Sequence, residues 1–190
     1  MSFPEFPNEV VTRALTRLVR VPGLDRPAAL ITLDNGHDHT KPNTFGPAGL
    51  ANLDAAITEA MNAEPAFIAL TGKPFVFCVG ADLNGVGLVR TREQALQLGR
   101  EGHRVFARLR NSPVPTFAFI NGAAMGGGLE VALHCHYRTL SSAVTMLALP
   151  EVGLGLVPGW GGTQLLPKLV GIVNAATVIV QNPLQQNKML

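Results

Sequence analysis

Two glutamates and two glycine-rich stretches are the parts of this sequence whose types and spacing could do chemistry. Glu130 stands in "NGAAMGGGLEVALHCH" (121–136), three positions after Gly127 and among Leu129, Val131, Ala132 and Leu133. Glu151 stands in "LALPEVGLGLVPGWGG" and is the only charged residue between positions 139 and 167. An acid in apolar surroundings has a raised pKa, which suits proton transfer near neutral pH. The plainer reading of either acid is a helix N-terminal charge or a surface residue, and spacing alone leaves both readings open.

The glycines raise a second possibility. Gly126, Gly127 and Gly128 open an apolar helical pattern, although glycine inside a helix costs roughly 0.5–1 kcal/mol relative to alanine. At a helix start the first N–H groups have no partner within the helix, and the positive end of the dipole points outward. A similar place arises in "FCVGADL" (77–83), where an apolar strand runs into Gly80 and Ala81. Amides at Ala81 and Gly127 that converged on one oxygen would form an oxyanion hole, in which loss of one donor costs about 2.7–4 kcal/mol of barrier. The alternative is that the glycines let a helix pack closely on a strand.

The elements that would have to position these groups follow from periodicity. Strands are predicted over 28–34, 66–72, 75–83 and 116–124, with short ones near 137–140 and 145–149. Helices are predicted over 48–63, where Leu50, Leu53, Ile57 and Met61 share a face, over 92–110, from the glycine triplet to about Cys135, and after the turn at 159–162. Residues 35–47 read as a polar loop and residues 1–26 as an irregular lead-in. Apolar strands without clean alternation imply sheets covered by helices, and so an α/β fold. The last helical pattern runs out at Pro183 into a polar tail, so further chain is expected beyond it.

Composition narrows the class. Of 190 residues, 47% are hydrophobic and 15% charged, which is globular, and a net charge of +2 is too small to argue for nucleic acid. Arg100, Arg104 and Arg108 fall at i, i+4 and i+8 and read as a solvated helix face. Cys78 and Cys135 lie far apart in apolar settings, as reduced cysteines of a cytoplasmic protein would. The first ten residues are no signal peptide, and no uncharged apolar run reaches the length of a membrane span. "HDH" (37–39) and "HCH" (134–136) invite a metal reading, but on a helix His134 and His136 point about 200° apart, so no metal is expected. There is no dinucleotide fingerprint, phosphate loop or nucleophile elbow.

Taken together, "FCVGADL" (77–83), "NGAAMGGGLEVALHC" (121–135) and "LPEVGLGLVPGWGGTQLLPKLVG" (149–171) resemble the enoyl-CoA hydratase/isomerase (crotonase) superfamily. The resemblance spans roughly residues 28–190 and is nearest to the N-terminal hydratase part of the multifunctional fatty-acid oxidation α-subunit. It implies a crotonase-like spiral of β-β-α repeats, with residues 27–190 forming a core domain that is incomplete at its C-terminus because the closing helices are missing. Carried over by position, the oxyanion-hole amides fall on Ala81 and Gly127 and the paired acids on Glu130 and Glu151. Ala81, Asp82, Leu83, Asn84, Gly126, Gly127, Pro150 and Gly159 would contact the CoA thioester.

The implied reaction is hydration of a trans-2-enoyl-CoA, with Δ3-Δ2 isomerisation, or an inactive fragment of a multifunctional enzyme, as alternatives. The implied substrate is a coenzyme A thioester and no tightly bound cofactor is expected. The implied partners are further copies of the chain, as a trimer or dimer of trimers, or a thiolase. His136 departs from the family pattern, standing where an aspartate is usual. The 21-position interval between the acids, one longer than usual, is a second departure.

Overall fold

The computed structural model describes residues 6–185. Its chain repeats one move: a strand enters a large sheet, the next strand enters a small one, and a helix returns across the outside. Strands β1 (Arg13–Val19) and β2 (Ala28–Asp34) pair antiparallel, and helix α1 (Pro47–Asn62) follows. Then come β3 (Ile68–Gly72), β4 (Phe75–Cys78), a short turn of helix α2 (Leu83–Val86) and the long α3 (Arg92–Arg110). The next round is β5 (Thr116–Ile120), β6 (Gly122–Met125) and α4 (Gly127–Leu133). The last is β7 (Tyr137–Leu140), β8 (Leu147–Ala148), a 3-10 turn at Glu151–Leu154 and α5 (Gly162–Val170), continued by α6 (Ile172–Ala176), a π-helical turn at Thr177–Gln181 and α7 (Asn182–Leu184).

The large sheet has the order β1-β2-β3-β5-β7 and the small one β4-β6-β8, and every pair beyond β1–β2 is parallel. The first round has no second strand of its own. Residues 43–45 stand in for it: Val79 N–H donates to Asn43 O at 2.9 Å, Phe45 N–H to Gly80 O at 2.7 Å and Asp82 N–H to Phe45 O at 3.0 Å. These bonds tie the end of β4, and hence Ala81, to the start of α1.

Three expectations are corrected. The lead-in is not irregular, because residues 13–19 form edge strand β1. It has no buried residue, so no apolar face marked it in the sequence. The run 116–124 is two strands in different sheets. The chain crosses between them at Asn121, whose side chain accepts from Gly72 N–H at 3.0 Å and donates to Gly72 O and Lys73 O, locking it to the matching crossing between β3 and β4. The arginine stripe is not simply solvated. Arg104 meets Asp54 of α1 at 2.7 Å and Arg108 bonds the same carboxylate and the Asp54 carbonyl, joining α3 to α1, while Arg100 stays exposed.

The main core lies between the large sheet and helices α1 and α3, with Phe45, Phe77, Phe106, Ile31, Leu33, Leu53, Ile57 and Leu70 fully enclosed. A second cluster of Leu129, Leu133, Leu149, Leu165, Leu166, Ala175 and Ile179 seats α4 against the C-terminal helices. Helix α4 is buried along its whole length. Among the described residues no helix is long and apolar enough to cross a membrane.

Candidate active site

The glycine triplet opens α4 for three separate reasons. Gly126 is the N-cap with φ +51°, a left-handed conformation that side chains resist. A Cβ on Gly127 would stand 2.4 Å from the Trp160 ring, and one on Gly128 would stand 1.9 Å from the Cys78 carbonyl oxygen. The helix therefore starts pressed against both the end of β4 and the Trp160 indole. Close packing of the helix start, one of the two alternatives left by the sequence, is present.

Gly80, two residues beyond β4, has φ +101°, and a Cβ there would lie 3.1 Å from the Gly127 nitrogen. The 80–81 turn and the start of α4 are thus in contact. Neither the Ala81 nor the Gly127 amide donates to an acceptor among the described residues. Both residues line a cavity of about 450 Å³ together with Glu130, Glu151, Pro150 and Trp160. Its walls are apolar, with Val86, Leu98, Leu154, Leu156 and Val157 among them. Two free amides beside an apolar chamber can hold an oxygen that gains negative charge.

Glu130 is 2% exposed, on the first turn of α4. Its Oε1 accepts from Trp160 N–H and Gly162 N–H, each at 2.8 Å. Burial raises its pKa to about 7, the two amides restrain that rise, and the nearby charge of Glu151 adds to it. Glu151 begins the 3-10 turn. Its Oε1 would lie 2.9 Å from a Cβ on Gly126, so its carboxyl rests over the start of α4. Its Oε2 is buried with no partner among the described residues, and burial raises its pKa. The cavity therefore holds two carboxyls, one held by two backbone donors and one with a buried oxygen that has no partner among the described residues, which is an arrangement fit to take a proton at one point and give one at another.

The residues expected to contact a thioester divide. Ala81, Leu83, Gly126, Gly127, Pro150 and Gly159 line this cavity. Asp82 and Asn84 do not: the Asp82 carboxylate caps α2 by accepting from Asn84 N–H at 3.1 Å, and both residues line a neighbouring groove of about 400 Å³ with Asn35, Thr40 and Lys41. The two hollows share Val79, Ala81 and Leu83 and so lie side by side.

Neither histidine pair gathers ligands. His134 faces the Trp160 carbonyl, while His136 Nδ1 accepts from Thr116 N–H at 3.0 Å. Among the described residues no three His, Cys, Asp or Glu side chains group as a metal would require. Cys78 and Cys135 are buried thiols whose pKa is pushed up to about 12, so neither serves as a thiolate.

Two contributors escaped the sequence reading. Trp160 packs over Gly127, donates its indole N–H to Leu98 O at 3.2 Å and supplies one of the amides to Glu130. Its signal was being the single tryptophan, set in "PGWGG". Lys73 is 4% exposed, and its ammonium donates to Asn35 Oδ1 and to the carbonyls of His37, Asp38 and Lys41. It holds the 35–42 loop that borders the second groove. A lone lysine inside "LTGKPFVFCV" was the available hint.

The model of the enoyl-CoA hydratase/isomerase family matches residues 26–185. The fatty acid oxidation complex subunit alpha of Shewanella frigidimarina is 41% identical over 157 residues, and that of Shewanella amazonensis is 42% identical over 155. Each alignment covers 80% of this chain but only 22% of the relative, so the chain spans about a fifth of the length of these proteins. Among solved structures, an enoyl-CoA hydratase from Thermoplasma volcanium matches with TM-score 0.77 at 30% identity, over 88% of this chain and 64% of that one. DspI of Pseudomonas aeruginosa matches with TM-score 0.74 at 35% identity, over 88% and 65%.

Proposed function

The chain belongs to the enoyl-CoA hydratase/isomerase family, with its crotonase-like fold, and from that premise we propose that its site adds water across the double bond of a trans-2-enoyl-CoA to give the 3-hydroxyacyl-CoA. The thioester oxygen lies between the Ala81 and Gly127 amides, which stabilise it as enolate-like charge develops. Water attacks the β-carbon through its oxygen and yields a proton to Glu130, and Glu151 delivers a proton to the α-carbon. The groove beside Asp82 and Asn84 takes the pantetheine and nucleotide portion. Coenzyme A thus enters as part of the substrate.

The observation that carries this reading is the unlike treatment of two carboxyls around one cavity. Glu130 has two amide donors, which favour its charged form and suit a base. Glu151 has a buried oxygen without a partner among the described residues, which favours its protonated form and suits an acid. An isomerase can shuttle a proton on a single carboxylate, so the presence of two supports hydration. The relatives' name, a subunit of a fatty acid oxidation complex, supports a place in fatty-acid oxidation within a multi-subunit assembly, for which further copies of this chain or a thiolase are the partners we propose. The test is crotonyl-CoA hydration, followed by loss of thioester-conjugated absorbance. Wild-type chain should consume crotonyl-CoA, and Glu130→Gln and Glu151→Gln should each lower the rate by roughly 10²–10⁴-fold. Near-wild-type rates in both variants would remove the assignment.

A further inference from the structure

His134 is a buried titratable group that the reaction above leaves unused. It is 1% exposed and is the C-cap of α4, four positions after Glu130 and on the same face as that residue. Its Nε2 is 2.9 Å from the Trp160 carbonyl oxygen, and its Nδ1 is buried without a partner among the described residues. A carbonyl only accepts, so Nε2 carries the hydrogen and Nδ1 the lone pair. The same short turn is held from its other side: Trp160 N–H and Gly162 N–H both donate to Glu130. Between them Gly161 adopts φ +120°, and a Cβ on it would stand 2.7 Å from His134 Nε2.

We infer that His134 is a positioning residue for Glu130: as the neutral Nε2–H tautomer it grips the Trp160 carbonyl and so aims the amides of the 160–162 turn at the Glu130 carboxylate. Glu130 and His134 act as two prongs of one helix face, an acceptor and a donor closing on the two polar ends of one turn. The turn needs both, because each peptide unit has an N–H and a C=O and burial leaves neither to water. The charges facing the imidazole agree with a neutral ring. Desolvation lowers its pKa to about 4, and Arg110 and His103 of α3 push in the same direction. A ring that stays neutral cannot move protons in the reaction, so its effect on catalysis passes through the turn. The kinetic consequence rests on the role proposed for Glu130, whereas the clamp itself does not.

Three measurements on the 190-residue chain separate these. In wild type, ¹⁵N spectra of the imidazole at pH 7 should show His134 neutral and protonated on Nε2, and a ring protonated on Nδ1 or on both nitrogens would overturn the proposal without any variant. The Glu130 carboxyl, assigned by its absence in Glu130→Gln, should titrate by ¹³C at higher pH in His134→Leu, by about 0.5 pH unit or more, because lost amide donors favour the protonated acid. His134→Gln, which restores an N–H donor at similar reach, should bring the titration back. In the hydration assay the acid limb of the kcat/KM profile should move upward with the same variant, while KM changes little. A merely structural histidine would lower the melting temperature in both variants and leave the Glu130 titration where it was, which sinks the clamp. An upward titration with no matching shift in the rate profile would keep the clamp and overturn the catalytic role of Glu130.

Discussion

The two acids of this cavity are mounted very differently. Glu130 rides on a helix with no exposed residue, between two core clusters, and its carboxylate receives two 2.8 Å amide bonds. Glu151 rides on a four-residue 3-10 turn with no buried residue, whose last residue Leu154 is exposed, as are Leu156 and Val157 just beyond it. One corner is fixed before any ligand arrives, and the other depends on a turn held by few contacts. Preorganisation of this kind matters most for the group that must be charged in a dry site, since fixed dipoles there replace water. The acid that must stay protonated needs only burial. The contrast in mounting follows the contrast in proposed chemistry.

The largest effects that could break this contrast are kinetic. Shortening Glu130 to Asp withdraws the carboxylate from Trp160 and Gly162 and should approach the roughly 10²–10⁴-fold loss expected of a missing acid–base group. Glu151→Asp on its looser turn should retain more activity. Equal losses in crotonyl-CoA hydration would show that both corners are equally rigid. Next in size is Gly128→Ala, which places a Cβ 1.9 Å from the Cys78 carbonyl oxygen, a backbone atom that cannot rotate away. Overpacking of this kind should cost about 3 kcal/mol in urea unfolding.

A third test uses pH. Glu130 has a folded pKa of about 7 against 4.5, so the folded state binds its proton more tightly. Its contribution favours folding at low pH and is lost as pH rises from 4.5 to 7, by about 3 kcal/mol. His134 has a folded pKa of about 4 against 6.5, so its contribution is absent at low pH and gained as pH rises from 4 to 6.5, by a similar amount, about 3 kcal/mol. The two slopes oppose each other in nearly the same window. Wild-type stability from these groups should be close to flat between pH 5 and 6.5. Glu130→Gln should turn that plateau into a rise with pH, and His134→Leu should turn it into a fall. Denaturant midpoints across that range would show it, and a Glu130→Gln profile parallel to wild type would refute the assignment.

What the sequence made legible was whatever depends on local pattern. Helices α1 and α3 stand almost where their apolar periodicity put them, as does β2, and the joint order of the three quoted motifs carried the crotonase-like fold. The two acids and the two amide positions were also named from sequence, and they line one cavity. What depends on distant partners was not legible. Strand β1 has no buried residue to mark it, and Asn121 changes sheets through bonds to Gly72 and Lys73 that lie far away in the chain. The arginine stripe depends on Asp54 of another helix. The sequence offered no partner for His134, because the carbonyl it faces arrives 26 positions later.

The smallest expected effect is the sharpest test of the loose corner. Gly155 closes the turn that carries Glu151, with φ +73° and ψ 20°, and a Cβ there would meet nothing within 4 Å. Gly155→Ala therefore pays no steric penalty against neighbours and only the left-handed backbone cost, roughly 1 kcal/mol. Asparagine tolerates that conformation better, so Gly155→Asn should recover most of the loss. Both variants should keep wild-type Glu130 titration, since nothing in the turn touches the 160–162 amides through Gly155. Urea unfolding decides the matter: if Gly155→Ala were to cost as much as Gly128→Ala, the Glu151 turn would be as tightly built as the α4 corner, and the division of labour between a fixed base and a loosely mounted acid would have no structural basis.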